Sequence, residues 1–346
     1  MITDGELASF KADGFLLKKG LFTPEEASLL SQLTRAEAQI NGSRSDGRAT
    51  ELFGVDVDGP PAPPGAAARD GRRRSIYNAV CYSERTMRCM SRLLQVRDPH
   101  HDGIYLHHRK IIMKDQDSAG GGLDLNGQVD VVRQGATEPK KNSFLWHQDY
   151  GYWGPRSYWD PELEPQAVGA LDAYGAAGMP SPNPVTMAVA IDPAHCSNGC
   201  LQMLRGSHTL GQLEFVREPW NEIYVAPAAV QRALDLGHEP VHIEQEPGDA
   251  LFFDCETVHS SGANETADPR WAFLCTFDTL TNTADPRFGN AYGAFLMHRQ
   301  QELRAGWCSR AHATPLTVTC PAWCRQTAAA FSKRGVGGQL RDGVRD

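Results

Sequence analysis

The chain has 346 residues, 41% hydrophobic and 22% charged, with a formal net charge of −8 and a pI near 5.8. That balance excludes disorder throughout and argues against nucleic acid as the main partner, which calls for a basic surface. No stretch approaches the roughly 20 apolar residues of a membrane span and no basic-then-apolar leader opens the chain, so a cytoplasmic protein without membrane attachment is expected.

The length suits a single domain over residues 1–346 with a sizeable core: a mostly helical part over 1–100, a β core over 105–290 with an insertion at 115–142, and a helical tail over 291–346. Asp4 can cap a helix over residues 5–12, and Thr23-Pro24-Glu25-Glu26 starts a second helix with Pro at its first position. Residues 54–71, rich in Pro and Gly, read as a loop; Arg72-Arg73-Arg74 after it reads as a solvated face or a contact for an anion. Residues 76–98 return to a helical pattern with Met87, Met90, Leu93 and Leu94 on one face, a core stripe rather than a cofactor box. The insertion, with Gly120-Gly121-Gly122, has two readings, a lid and an inert surface loop. From about 185 to 280, short apolar runs alternate with Gly, Pro and Asn turns, the pattern of a double-sheet jelly roll. The expected class is therefore mainly β with flanking helices, a double-stranded β-helix of the cupin-like kind. Nine cysteines without a secretion signal read as reduced thiols; a zinc site from Cys308, His312, Cys320 and Cys324 is the loosely spaced alternative.

Chemistry concentrates in Trp146-His147-Gln148-Asp149 and, far downstream, in His259 and Arg270. Two imidazoles and one carboxylate on one face of a ferrous ion leave three positions open for a co-substrate and dioxygen. On a strand His147 and Asp149 share a face while Gln148 points away, so one strand supplies two ligands. The third must come from a neighbouring strand of the same barrel, and Ala250-Leu251-Phe252-Phe253-Asp254 reads as the apolar strand leading to His259. Arg270 offers an always-charged fork for a carboxylate. A lone His-x-Asp is weak evidence; the joint pattern is what carries weight.

Together with these residues, Asp13-Gly14-Phe15, Leu21-Phe22-Thr23-Pro24-Glu25-Glu26, Ala190-Ile191-Asp192-Pro193, Asn198-Gly199-Cys200-Leu201, Arg205-Gly206-Ser207-His208 and His259-Ser260-Ser261 follow a recognisable order over about residues 8–290. The chain thereby resembles the phytanoyl-CoA dioxygenase family of iron(II)- and 2-oxoglutarate-dependent oxygenases, which includes ectoine hydroxylases. The resemblance implies Fe(II), the co-substrate 2-oxoglutarate and O2, with iron on His147, Asp149 and His259. It implies that Arg270 and Ser261 hold the distal carboxylate of 2-oxoglutarate, that Lys114 also reaches it, and that Phe144 lines its pocket. An intact Asp149 favours hydroxylation, since halogenating relatives carry a small residue there. Trp153 matches a tryptophan that contacts substrate in ectoine hydroxylases, and His108 falls where those enzymes carry a substrate-binding glutamine. Tyr152 adds aromatic surface beside it, and both aromatics also fit plain packing at the barrel mouth.

The substrate expected is a small, polar metabolite or natural-product intermediate, released hydroxylated with succinate and CO2. An acyl-CoA substrate, a jelly-roll binding protein without turnover, and a zinc hydrolase built on the same three residues are the alternatives. Oligomeric state is not legible.

Overall fold

The computed structural model describes residues 1–41, 50–53, 76–96, 104–115, 143–153, 181–217, 223–279 and 282. The arginine run, the insertion beyond Asp115 and the C-terminal tail with its cysteines lie outside the described residues, as does the loop at 54–71.

The N-terminal elements are set by local capping. Helix α1 (Asp4–Asp13) is capped by Thr3, not Asp4: Thr3 Oγ1 accepts from Glu6 N while Glu6 Oε2 accepts from Thr3 N, a reciprocal box that satisfies two otherwise orphaned donors. α1 ends at Gly14, whose φ of +81° turns the chain into β1 (Phe15–Lys18). Thr23 and Glu26 form the same reciprocal pair ahead of α2 (Pro24–Asn41). After β2 (Thr50–Phe53), the single helix expected over 76–98 is two, α3 (Ile76–Cys81) and α4 (Glu84–Leu93). Ser83 breaks the run because its hydroxyl accepts from Thr86 N and so caps a new helix. The Met and Leu stripe is core, as read: Met90, Leu93 and Leu94 are buried and Met87 packs against them.

The remaining elements are β3 (Ile104–Lys114), β4 (Phe144–His147), α5 (Tyr150–Trp153), β5 (Val185–Ala190), β6 (Leu201–Leu204), β7 (Phe215–Arg217), β8 (Ile223–Val225), α6 (Pro227–Asp235), β9 (Pro240–Ile243), β10 (Ala250–Asp254), β11 (His259–Ser261) and β12 (Arg270–Thr279). They form a six-stranded sheet in the order β1-β10-β5-β12-β3-β2 and a four-stranded sheet β4-β11-β6-β9, with β7 and β8 as a separate pair. Every pairing is antiparallel. This is the jelly-roll arrangement expected of the alternating apolar runs.

Alternation along the strands divides the larger sheet into two faces. Met187, Val189, Phe252, Phe273, Cys275 and Phe277 join Phe10, Leu30, Met90 and Leu93 in the core under the N-terminal helices. Ala188, Leu251 and Phe253 turn the other way and meet Leu201, Met203 and Ile243 of the second sheet. The inter-sheet space therefore begins apolar at β10 and becomes polar toward β3 and β4, where the site residues stand. Among the described residues, no helix is long and apolar enough to cross a membrane.

Candidate metal centre

His147 ends β4, His259 opens β11, and the two are register partners across the smaller sheet. Antiparallel partners stand close enough for their side chains to meet, and here the ring centroids are 4.1 Å apart. Asp149 does not arrive by strand alternation. β4 stops at His147, and Asp149 sits in the turn into α5, where Gly151 N donates to Gln148 O (3.1 Å) and Tyr152 N to Asp149 O (3.0 Å). Tyr150 N donates to Cys255 O at 2.9 Å, which ties this turn to the segment carrying His259. The result is a cluster in which one ligand atom from each of His147, Asp149 and His259 lies within 4.8 Å of the others, with His259 Nε2 3.8 Å from Asp149 Oδ1.

The tautomers follow from the backbone. His147 Nδ1 faces Leu145 O at 2.7 Å and His259 Nδ1 faces Thr257 O at 2.9 Å. A carbonyl only accepts, so each Nδ1 carries a proton and Nε2 is the ring atom left to meet a metal. Burial, with the neighbouring His259, pushes the His147 pKa down to about 3, so this ring is neutral near pH 7. Two imidazole Nε2 atoms and one carboxylate oxygen are the donor set of a divalent metal with open positions, and the residues fit Fe(II).

Two basic side chains stand beside the strand that carries His259. Lys114 and Arg270 are register partners at the ends of β3 and β12, and both are buried. Lys114 Nζ donates to Ser261 Oγ (2.7 Å) and Gly262 O (2.6 Å) and lies 5.3 Å from the Phe144 ring centroid. Arg270 Nε has no hydrogen-bond partner. Burial holds the Lys114 ammonium well below its ordinary pKa, aided by the Arg270 charge, and burial brings Arg270 down to about 10. Two like charges side by side in a dry sheet are costly, and a dianion with one carboxylate here and its other end at the metal would relieve that cost. The pair fits 2-oxoglutarate. Asn264 ties the end of β3 to the loop before β12 by donating to Lys114 O (3.0 Å) and Asp268 O (2.7 Å).

Tyr152 stands edge-on to His147 at 6.4 Å and Trp153 edge-on to His107 at 5.0 Å. His108 is opposite Thr276 in register, and its side chain lies outside the described residues. The register skips His107 between Thr276 and Phe277, an irregularity that no single-sequence period reveals. Burial lowers the His107 pKa to about 4, against the pull of the Asp149 charge.

The structure thus brings together His147, Asp149, His259, Arg270, Ser261, Phe144, Lys114, Tyr152 and Trp153. Sequence reasoning passed over Thr186, which approaches Asp149, and Thr276, which approaches Thr186, two hydroxyl residues in apolar strands. Their only signal was a polar residue interrupting Val185-Thr186-Met187-Ala188 and Leu274-Cys275-Thr276-Phe277. Gln148 does point away, as expected: its Nε2 donates to Gly211 O (2.9 Å) and Glu256 O (2.6 Å), and its Oε1 accepts from Leu213 N (2.8 Å).

Comparison with known proteins agrees with this geometry. The sequence profile of the phytanoyl-CoA dioxygenase (PhyH) family matches residues 10–272. The ectoine dioxygenase of Bordetella bronchiseptica is 24% identical over 301 residues, 81% of this chain and 77% of its own. The L-proline trans-4-hydroxylase of Streptomyces griseoviridis is 25% identical over 151 residues, 40% of this chain and 49% of its own. In fold, the chain is similar to the crystal structure of EctD from S. alaskensis with 2-oxoglutarate and 5-hydroxyectoine, with a TM-score of 0.53 and 17% identity over 84% of each chain.

Proposed function

The chain belongs to the phytanoyl-CoA dioxygenase family, and we propose that this iron(II)- and 2-oxoglutarate-dependent dioxygenase hydroxylates a C–H bond of a small, polar metabolite. The observation that carries the reading is the pairing of a His147–Asp149–His259 donor set with two buried cations, Lys114 and Arg270, in one inter-sheet space. A zinc hydrolase on the same triad would leave both cations without an anion to meet.

Bound iron, 2-oxoglutarate and dioxygen together supply the oxidising chemistry, in which one oxygen atom enters the substrate and the other leaves in succinate, with release of CO2. The chain's own contribution is to hold and orient. His147, Asp149 and His259 would hold the iron through two ring nitrogens and one carboxylate oxygen, a donor set that would leave it positions for the co-substrate and dioxygen. Lys114, Arg270 and Ser261 receive the distal carboxylate, and Phe144 covers the Lys114 side of that pocket. Fixing both ends of the co-substrate removes rotational freedom that the reaction would otherwise have to spend. Tyr152 beside His147 and Trp153 beside His107 supply aromatic surface next to the metal residues that would meet the substrate. The matches to proteins named for ectoine and L-proline support a substrate of that size.

The reading is tested by anaerobic titration of the apoprotein with Fe(II) and 2-oxoglutarate, followed by the visible metal-to-ligand charge-transfer band. The band is expected in the native protein, absent in His147→Ala, and shifted to much higher 2-oxoglutarate in Arg270→Ala. A native protein that gives no band overturns the reading. A positive result leads to a substrate screen by succinate release, in which small polar compounds should outperform acyl-CoA esters.

A further inference from the structure

Asp149 lies past the end of its strand, in a four-residue turn, and nothing in strand geometry fixes the rotation of its carboxylate. A hydroxyl from the opposite sheet reaches it. Thr186 Oγ1 stands 3.3 Å from Asp149 Oδ2, and Thr276 Oγ1 stands 2.8 Å from Thr186 Oγ1. Both threonines are 1% exposed. They are register partners on β5 and β12, in line with Ala188 and Leu274 on the face turned toward the second sheet.

Proton counting gives the direction of the chain. Two hydroxyls carry two protons, and the bond between them uses one. An ionised carboxylate only accepts, so the Thr186 proton goes to Asp149 Oδ2, and Thr276 must be the donor to Thr186. Neither threonine is needed for packing at these positions. Valine has the same shape and suits a buried strand, whereas a buried hydroxyl without a partner costs about 1–3 kcal/mol. Mutual satisfaction would settle only one of the two protons. The second requires an acceptor, and Asp149 Oδ2 stands within hydrogen-bond distance of it.

We propose that Thr186, backed by Thr276, is a positioning residue that ties down Asp149 Oδ2 so that the carboxylate presents a single oxygen, Oδ1, to the metal. Oδ1 is the oxygen that stands 3.8 Å from His259 Nε2, on the side where the imidazole lone pairs converge. A carboxylate free to rotate could offer both oxygens and take a coordination position that the co-substrate or dioxygen needs. The relay thereby protects the open face of the site. The proposal rests on the reading that His147, Asp149 and His259 hold the metal.

The test titrates Co(II) anaerobically into the apoprotein and reads its dissociation constant and its visible ligand-field spectrum. Native protein, Thr186→Val, Thr186→Ser and Thr276→Val are compared. Loss of an outer hydrogen bond to a ligand is expected to weaken Co(II) binding by about 10–100-fold in Thr186→Val and to change the intensity of the spectrum. Thr186→Ser, which keeps the hydroxyl, should return both toward native values, and Thr276→Val should show a smaller loss. A Thr186→Val protein with native affinity and native spectrum overturns the positioning role while leaving the metal reading intact. A native protein that binds no Co(II) overturns both. Should Thr186→Val fail to fold, Thr186→Ala, which removes the hydroxyl without placing a second methyl in the barrel, decides by the same two readouts.

Discussion

Lys114 and Arg270 face each other across β3 and β12 as register partners, two buried cations in neighbouring strands. Burial and the Arg270 charge disfavour the Lys114 ammonium when no anion is bound, and a carboxylate between the two side chains would favour it, so the energetic effect of Arg270 should reverse with the co-substrate. Arg270→Met, which fills the space and removes one charge, is expected to leave the apoprotein as stable as native or more so. In the native protein 2-oxoglutarate with Fe(II) should add about 2.7 kcal/mol at one hundred times its dissociation constant, and in the variant at the same concentration almost none. Thermal unfolding with and without co-substrate checks this. A variant much less stable than native without ligand would show that Arg270 serves the fold rather than the ligand.

Gln148 sits in sequence between two metal-site residues yet holds three backbone groups on the far side, Gly211 O, Glu256 O and Leu213 N. It is 1% exposed, so Gln148→Ala would strand polar backbone atoms in a dry place. A loss of about 2–3 kcal/mol in chemical denaturation is expected. Metal affinity should fall as well, because Glu256 lies on the segment leading to His259. Gln148→Glu should rescue neither, since a carboxylate cannot donate to the two carbonyls.

The metal cluster was legible because histidines and an aspartate at close spacing are chemically distinctive, and because a third ligand had to come from a paired strand. The way Asp149 is delivered was not legible, since a strand that stops at His147 and one that continues through Asp149 have the same sequence pattern. Cross-strand register lay beyond reach for a related reason. Which residue of β12 stands opposite Lys114, or which of β5 opposite Thr276, depends on how distant segments align, and sequence periodicity fixes only the face each residue shares. The N-cap was misplaced by one residue because Thr3 and Asp4 are both good caps, and only Thr3 lies three residues before a glutamate. The break between α3 and α4 was not legible because the apolar stripe from Met87 to Leu94 belongs to α4 alone and says nothing about how the chain enters it at Ser83.

The segment that carries His259 also carries two carboxylates. Asp254 and Glu256 are both held above their ordinary pKa by burial, Glu256 reaching about 7 with the Asp254 charge adding to the effect. A folded-state pKa above the unfolded one means that the folded protein binds the proton more tightly. The stability this gives is complete below about pH 4.5 and is lost as pH rises through about 7. Glu256→Gln, which stays neutral throughout, should therefore be more stable than native at pH 8 and equal to it at pH 4. Glu256 is partly exposed and solvent screens its charge, so the gain should be about 1 kcal/mol. Denaturation midpoints of the two proteins measured from pH 4 to 8 should diverge in that direction, and parallel curves would refute the assignment.

Gly14 couples the first helix to the metal cluster through its backbone. Its carbonyl accepts from Thr257 Oγ1 and from Asp254 N, each at 2.9 Å, and so holds the turn from β10 into β11. A side chain cannot enter there. The φ of +81° disfavours one, and a Cβ would stand 2.5 Å from both His208 Nδ1 and Thr257 Oγ1. Gly14→Ala should therefore push Thr257 away, and Thr257 O is the acceptor that fixes the His259 tautomer. The expected outcome is a loss of about 2–4 kcal/mol of stability together with weaker metal binding. The control is Gly20→Ala, which has a similar φ of +59° but open space around the new methyl and no link to His259. It should lose about 1 kcal/mol and bind metal as the native protein does. Equal metal affinity in the two variants would show that the helix junction and the metal cluster are independent.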